Sequence, residues 1–140
     1  MLNKSSNKTI LVVEDEVSLL NALTEKFENE GFDILQAKDG EEGLEIASEH
    51  HPDLILLDIV LPKMDGLKMA EELKKRPKPT VKNIHGEEEE IGLPPILLLT
   101  NLDDLETVVK AQGQGLYDYL VKSDWKIEDV VKRVKEKLGI

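Results

Sequence analysis

The stretch Pro52-Asp53-Leu54-Ile55-Leu56-Leu57-Asp58-Ile59-Val60-Leu61-Pro62-Lys63-Met64-Asp65-Gly66 decides the fold. Its apolar run, Leu54 to Leu57, is too short to make a helix alone and does not alternate with polar residues. Such a run reads as a strand covered on both faces, the situation of strands inside a parallel α/β sheet. Ile10 to Val13 and Ile96 to Leu99 have the same character. Two further segments, Phe32 to Ala37 and Leu116 to Val121, each carry an Asp within an apolar run. That composition suits the edges of a sheet, where one flank is less covered.

Helical periodicity fills the intervals. Val17, Leu20, Leu23 and Phe27 share one face, and Gly31 stands where a C-cap glycine would end that helix. Leu44, Ile46 and Ala47 mark a second helix after Asp39-Gly40, and Leu67, Ala70 and Leu73 a third after Asp65-Gly66. Leu105, Val108 and Val109 mark a fourth, capped near Asn101 or Asp103. Ile127, Val130, Val131, Val134 and Leu138 mark the fifth, spaced i, i+3, i+4, i+7, i+11. Five β-α units in alternation predict an α/β fold, a parallel sheet with helices on both faces. The exception is residues 76–94, long for a connection that usually takes about 2–6 residues. With its prolines, glycines and the acidic run Glu87 to Glu90, it reads as an extended exposed loop. No internal repeat is visible, and one domain over residues 1–140 is expected, with its core at 8–138.

Composition removes several functions. The chain of 140 residues is long enough to bury a core without a disulfide or structural metal. Cysteine is absent, which excludes disulfide frameworks, thiolate zinc sites and thiol catalysis. Lys plus Arg is 18 and Asp plus Glu is 29, a net charge of −11, so direct nucleic-acid or membrane-surface binding is not expected. No apolar run approaches the 18 or so residues that span a bilayer, and Met1 to Asn7 carries no signal-peptide core. A soluble, cytoplasmic protein is expected.

In open α/β sheets ligands bind beyond the carboxyl ends of the strands. Glu14-Asp15-Glu16 follow the first run, Asp58 the third, Thr100 the fourth and Lys122 the fifth. Singly, each has an ordinary explanation: helix capping by the acids, a turn at Asp58, a local hydroxyl turn at Thr100, a solvated lysine. Jointly they do not. The first and third strands are neighbours in this fold, so Asp15 and Asp58, with Glu14, converge. Two carboxylates about 5 Å apart repel by roughly 3 kcal/mol at an effective dielectric near 20. Such a cluster calls for a cation or a raised pKa, and a few oxygen ligands with room for water suit Mg²⁺. Carboxylate nucleophile, Mg²⁺, lysine and hydroxyl together are the parts of phosphoryl transfer to an aspartate.

From about Lys8 to Leu138 the chain resembles the receiver domain of two-component response regulators. The matching motifs are Leu11-Val12-Val13-Glu14-Asp15-Glu16, the stretch from Pro52 to Gly66, Leu99-Thr100, and Gly115-Leu116-Tyr117-Asp118-Tyr119-Leu120-Val121-Lys122. The resemblance implies a flavodoxin-like (βα)5 doubly wound sheet in three α/β/α layers, strand order 2-1-3-4-5. It implies Asp58 as phosphoacceptor, with Glu14, Asp15, Asp58 and the carbonyl of Val60 around Mg²⁺. Thr100 and Lys122 would bind the phosphoryl group, and Tyr119 would be the aromatic switch residue. It further implies a sensor histidine kinase or phosphotransfer protein as donor. Output would run through the fourth helix, fifth strand and fifth helix to a downstream protein. On this reading the chain is a signalling domain, not an enzyme acting on other substrates. Mixed charges such as Lys110, Asp129 and Lys132 leave homodimerisation open.

The chain departs from the family pattern at four places. Glu14 stands where many members have Asp. Ser123 follows Lys122 where Pro, often after a cis bond, is usual, so the Lys122-Ser123 bond is cis or trans. Asn101 is bulkier than the common small residue, and the 76–94 loop is long. These departures motivate the alternative, a phosphorylation-independent interaction module on the same fold. A true enzyme fits less well. An aspartate-based phosphatase needs an acid where Val60 stands, a flavin phosphate needs a Ser/Thr/Gly-rich first loop, and no Walker or dinucleotide glycine motif is present.

Overall fold

The computed structural model describes residues 8–112 and 118–140. The three uniformly apolar runs are strands: β1 (Thr9–Val13), β3 (Leu54–Asp58) and β6 (Ile96–Thr100). The two Asp-bearing segments form β2 (Asp33–Ala37) and β7 (Asp118–Val121). Leu116 and Tyr117 of the expected fifth strand, and the segment Met1 to Asn7, lie outside the described residues. The sheet order is β2-β1-β3-β6-β7, and every neighbouring pair is parallel. It is the expected 2-1-3-4-5 order once β6 and β7 are counted as the fourth and fifth strands, with both Asp-bearing strands at the edges. The edge aspartates are handled differently. Asp33 is exposed, while Asp118 accepts a 2.7 Å bond from Arg133 of the last helix.

The alternation of side chains along each strand divides the core in two. Ile10, Val12, Leu54, Leu56, Leu97 and Leu99 face α1 (Val17–Asn29) and α5 (Ile127–Leu138). Leu11, Val13, Ile55, Leu57 and Leu98 face α2 (Gly40–His50), α3 (Gly66–Lys75) and α4 (Leu105–Gln112). The helix stripes agree with the periodicity. Leu20, Leu23 and Phe27 of α1 and Val130, Val131 and Val134 of α5 are buried, while Val17, the first residue of α1, overhangs into solvent at 52% exposure. Phe27 meets Phe32 edge to face at 5.5 Å between ring centres, closing the α1–β2 turn. Gly31, with φ 94, makes that turn possible. Asp39 and Asp65 each accept a backbone N–H three residues on, so α2 and α3 start with side-chain caps.

Residues 76–94 are not a structureless loop. They contain a two-stranded antiparallel hairpin, β4 (Thr80–Lys82) and β5 (Glu88–Glu90), outside the main sheet. Asn83 builds its turn: its side-chain oxygen accepts from the backbone of His85 and Glu87, and Gly86 takes φ 77. All six strand residues are exposed, so the hairpin buries no stripe of its own. Replacing residues 80–90 by two glycines is expected to change unfolding free energy by only about 1 kcal/mol, because loop-closure entropy depends weakly on length. Urea denaturation measures this; loss of the cooperative transition would show that the hairpin supports the core.

Candidate functional site

The register of the parallel strands brings the polar residues together. Val13 lies beside Leu57, so Glu14, just past β1, and Asp58, the last residue of β3, emerge at the same level. Glu14 and Asp58 are buried, with Asp15 exposed at the mouth of the cleft. One carboxylate oxygen from each of the three lies within 4.8 Å of the others. The capping alternative for the acids is not what forms. Glu16 occupies the N-cap of α1 without a side-chain bond to it, and the Glu14 carboxylate turns inward, accepting the N–H of Glu16 at 3.0 Å.

Lys122 supplies the opposing charge. It sits past β7 in a short 3-10 turn, Lys122–Asp124. Its Nζ donates to Asp58 Oδ2 at 2.8 Å and to Glu14 Oε1 at 3.3 Å. Asp58 Oδ1 accepts the N–H of Val60 at 3.2 Å. Both oxygens of the aspartate are therefore held from opposite sides, one by an ammonium and one by a backbone dipole. No peptide bond among the described residues is cis, so the bond from Lys122 to Ser123 is trans.

Charge balance at this cleft is visible in the titration of its members. Burial pushes Glu14 up to about 7, the N–H of Glu16 opposes that rise, and the charge of Asp58 adds to it. Burial works against the charged form of Lys122, but its contacts with Asp58 and Glu14 outweigh that and raise its pKa. One ammonium thus serves two carboxyl groups, with the third, Asp15, close to both of them. The donor set is all oxygen, compact and partly open to water, which fits a hard divalent cation.

Thr100 is fully buried at the end of β6, and its hydroxyl donates to the carbonyl of Asn101 at 2.9 Å. Thr100 pairs with Val121 and Leu98 with Tyr119 across the β6–β7 ladder. Tyr119 is half-buried against the α2–α3–α4 side of the core. Val60 leaves its side chain 54% exposed on the rim. Two supports escape a reading of sequence. A Cβ on Gly66 would overlap the carbonyl oxygen of Asp58, and Gly66 also donates its N–H to Ile59 at 2.8 Å. Lys63 adopts φ 66 and pairs with Asp39 at 3.6 Å, bracing the β3–α3 loop against the start of α2. The Asp65-Gly66 pair signalled only a helix start; the close approach to Asp58 depends on the packing of that loop.

A doubly wound parallel sheet carrying a lysine-bridged carboxylate cleft at its carboxyl edge defines a flavodoxin-like α/β domain. The chain belongs to the response regulator receiver domain family, whose model matches residues 10–135. Members of this family carry phosphorelay signals in two-component systems. The chain is 37% identical over 116 residues to the alkaline phosphatase synthesis transcriptional regulatory protein PhoP of Bacillus subtilis, covering 83% of this chain and 42% of that protein. It is 30% identical over 126 residues to the DNA-binding dual master transcriptional regulator RpaA of Synechocystis, covering 90% and 47%. It thus spans about half the length of these curated relatives. Among solved structures, the CheY-like response regulator receiver domain protein of Methanospirillum hungatei JF-1 superimposes with a TM-score of 0.75 at 28% identity over 94% of each chain. The receiver domain of the Francisella response regulator 1452 gives 0.74 at 28%, covering 95% of this chain and 98% of that one. No helix among the described residues is long and apolar enough to cross a membrane.

The sign of the Glu14 shift sets a pH test. With its folded pKa near 7 against an ordinary 4.5, the folded protein binds this proton more tightly than the unfolded chain. The contribution is intact below about pH 4.5 and is lost as pH rises to about 7. Glu14→Gln is therefore expected to be more stable than the parent in metal-free buffer at about pH 8, by roughly 1–3 kcal/mol. The difference should shrink toward pH 4.5. Urea unfolding at both pH values measures it, and a variant no more stable at the higher pH contradicts the assignment.

Proposed function

We propose that this chain is a single receiver domain that accepts a phosphoryl group on Asp58 from a partner histidine kinase or phosphotransfer protein. The observation that carries the reading is the pairing of a buried Asp58 with Lys122 at 2.8 Å beside Glu14 and Asp15. Glu14, Asp15, Asp58 and the carbonyl of Val60 would hold Mg²⁺, which neutralises charge between carboxylate and phosphoryl oxygens when bound. An Asp58 oxygen attacks phosphorus, the bond from phosphorus to the donor's nitrogen breaks, and the electron pair leaves with the imidazole. Lys122 is preorganised to follow the charge from the carboxylate onto the phosphoryl oxygens.

The new dianion then competes for groups now held elsewhere. Lys122 is shared between Asp58 and Glu14, and the Thr100 hydroxyl is spent on the adjacent carbonyl of Asn101. Turning that hydroxyl to a phosphoryl oxygen would shift the end of β6 and the space beside Tyr119, giving a two-state surface over α4, β7 and α5 for a downstream protein. Function in the cytoplasm, where kinase domains and their nucleotide reside, belongs to the same proposal.

Incubation with acetyl phosphate and Mg²⁺, followed by a phosphate-affinity gel, tests the reading. The parent should give a retarded band, Asp58→Asn none, and Lys122→Ala a band that forms about tenfold or more slowly. An equal band in Asp58→Asn would place the phosphate elsewhere. No band in the parent under any donor would favour the phosphorylation-independent interaction module.

A further inference from the structure

The amino end of the sheet, opposite the acidic cleft, holds a cavity of about 310 Å³ between the C-terminal ends of α2 and α3 and the roots of the hairpin. That volume lies at the small end of the range for ligand pockets. Its walls are rich in proline. Four of the chain's six prolines, Pro52, Pro77, Pro79 and Pro94, line it. His51 closes α2 with φ 47, turning the chain sharply so that Pro52 and Asp53 run beneath the cavity. The N–H of Ile91 donates to the carbonyl of Pro79 at 2.7 Å and fastens the hairpin root. Walls with fixed φ lose little entropy when a ligand enters, so the space is preformed.

The floor is apolar: Ala47 and Leu73 are buried, and Ile91 and Leu93 add half-exposed aliphatic surface. Two of the polar groups in the lining are already committed. The Asp53 carboxylate accepts the N–H of Thr9 at 2.8 Å, and the Ser48 hydroxyl donates to Leu44 at 2.8 Å. The cations are not. Lys78 has only a loose 3.9 Å pairing with Glu90, and Arg76 forms no ion pair among the described residues. An apolar floor beneath an uncommitted guanidinium selects a small anion with an apolar body.

We propose that this cavity binds a small organic carboxylate with an aromatic or branched aliphatic body, its carboxylate on Arg76 and Lys78 and its body over Leu73 and Leu93. A planar carboxylate matches the guanidinium fork. The site stands at the start of β3, with Asp58 at that strand's other end, so it is independent of the phosphoryl reading. In a chain of net charge −11, the lining carries two cations against the one carboxylate of Asp53, a local excess of positive charge that favours an anion.

Titration of ¹⁵N-labelled protein with 3-phenylpropionate tests the proposal. Saturable shifts are expected at the amides of Ala47, Leu73, Ile91 and Leu93, with half-saturation at about millimolar concentration or below. The neutral analogue 3-phenylpropanamide should bind about tenfold more weakly, as should the carboxylate to Arg76→Glu. Arg76 is exposed and forms no ion pair among the described residues, so that variant should melt close to the parent. The proposal fails if the shifts do not saturate or cluster elsewhere, if the amide or inorganic phosphate competes equally, or if Arg76→Glu and Lys78→Glu both bind as the parent does.

Discussion

Three carboxyl groups from two neighbouring strands are forced into one cleft, and much of this protein is arranged around holding them there. Nothing local drives the convergence. Glu14, Asp15 and Asp58 meet because β1 and β3 are hydrogen-bonded in parallel and end at the same level. Apolar burial on both faces of those strands supplies the free energy that opposes the repulsion. The site answers the remaining imbalance in two ways. Glu14 keeps its proton to about 7, and Lys122 reaches in from the far side of the sheet.

That lysine ties the cleft to the edge of the fold. It follows β7, which pairs with β6 and is pinned to α5 through the ion pairs of Asp118 with Arg133 and Lys137. Burial works against the charge of Asp118, but the bond from Arg133, the N–H of Tyr119 and the charge of Lys137 win, and its pKa is lowered. A change of charge at Asp58 is therefore felt first by a lysine at the end of the same strand that carries Tyr119. The residues that would sense phosphate and the surface that would report it meet at one short strand, which is a mechanical reason for the proposed switch to use that edge.

Some features were legible in sequence and some were not. The five strands of the main sheet and the assignment of its edges were readable because a short apolar run has few alternatives inside an α/β pattern, while their order came from the resemblance to the receiver family. The hairpin at 80–90 was not. Its strands are three residues long, fully exposed and glutamate-rich, so neither burial nor strand propensity marks them. Asn83 and Gly86 carry turn chemistry, but two such residues do not distinguish a hairpin from a loop. Val17 likewise has helical spacing but stands out in solvent, because a first-turn residue projects past the sheet edge.

By itself the sequence determined the strands and helices of the main sheet, the carboxyl-end residues and the family, since those follow from periodicity, punctuation and a specific order of short motifs. Tertiary structure alone decided the relations between distant residues. The bond from Lys122 to Asp58 spans 64 positions, and that to Glu14 spans 108. The overlap that any Cβ on Gly66 would make with Asp58, and the cavity under the hairpin, belong to the same group. Periodicity specifies which way a side chain faces within its own element; which charge it meets there depends on how the elements pack.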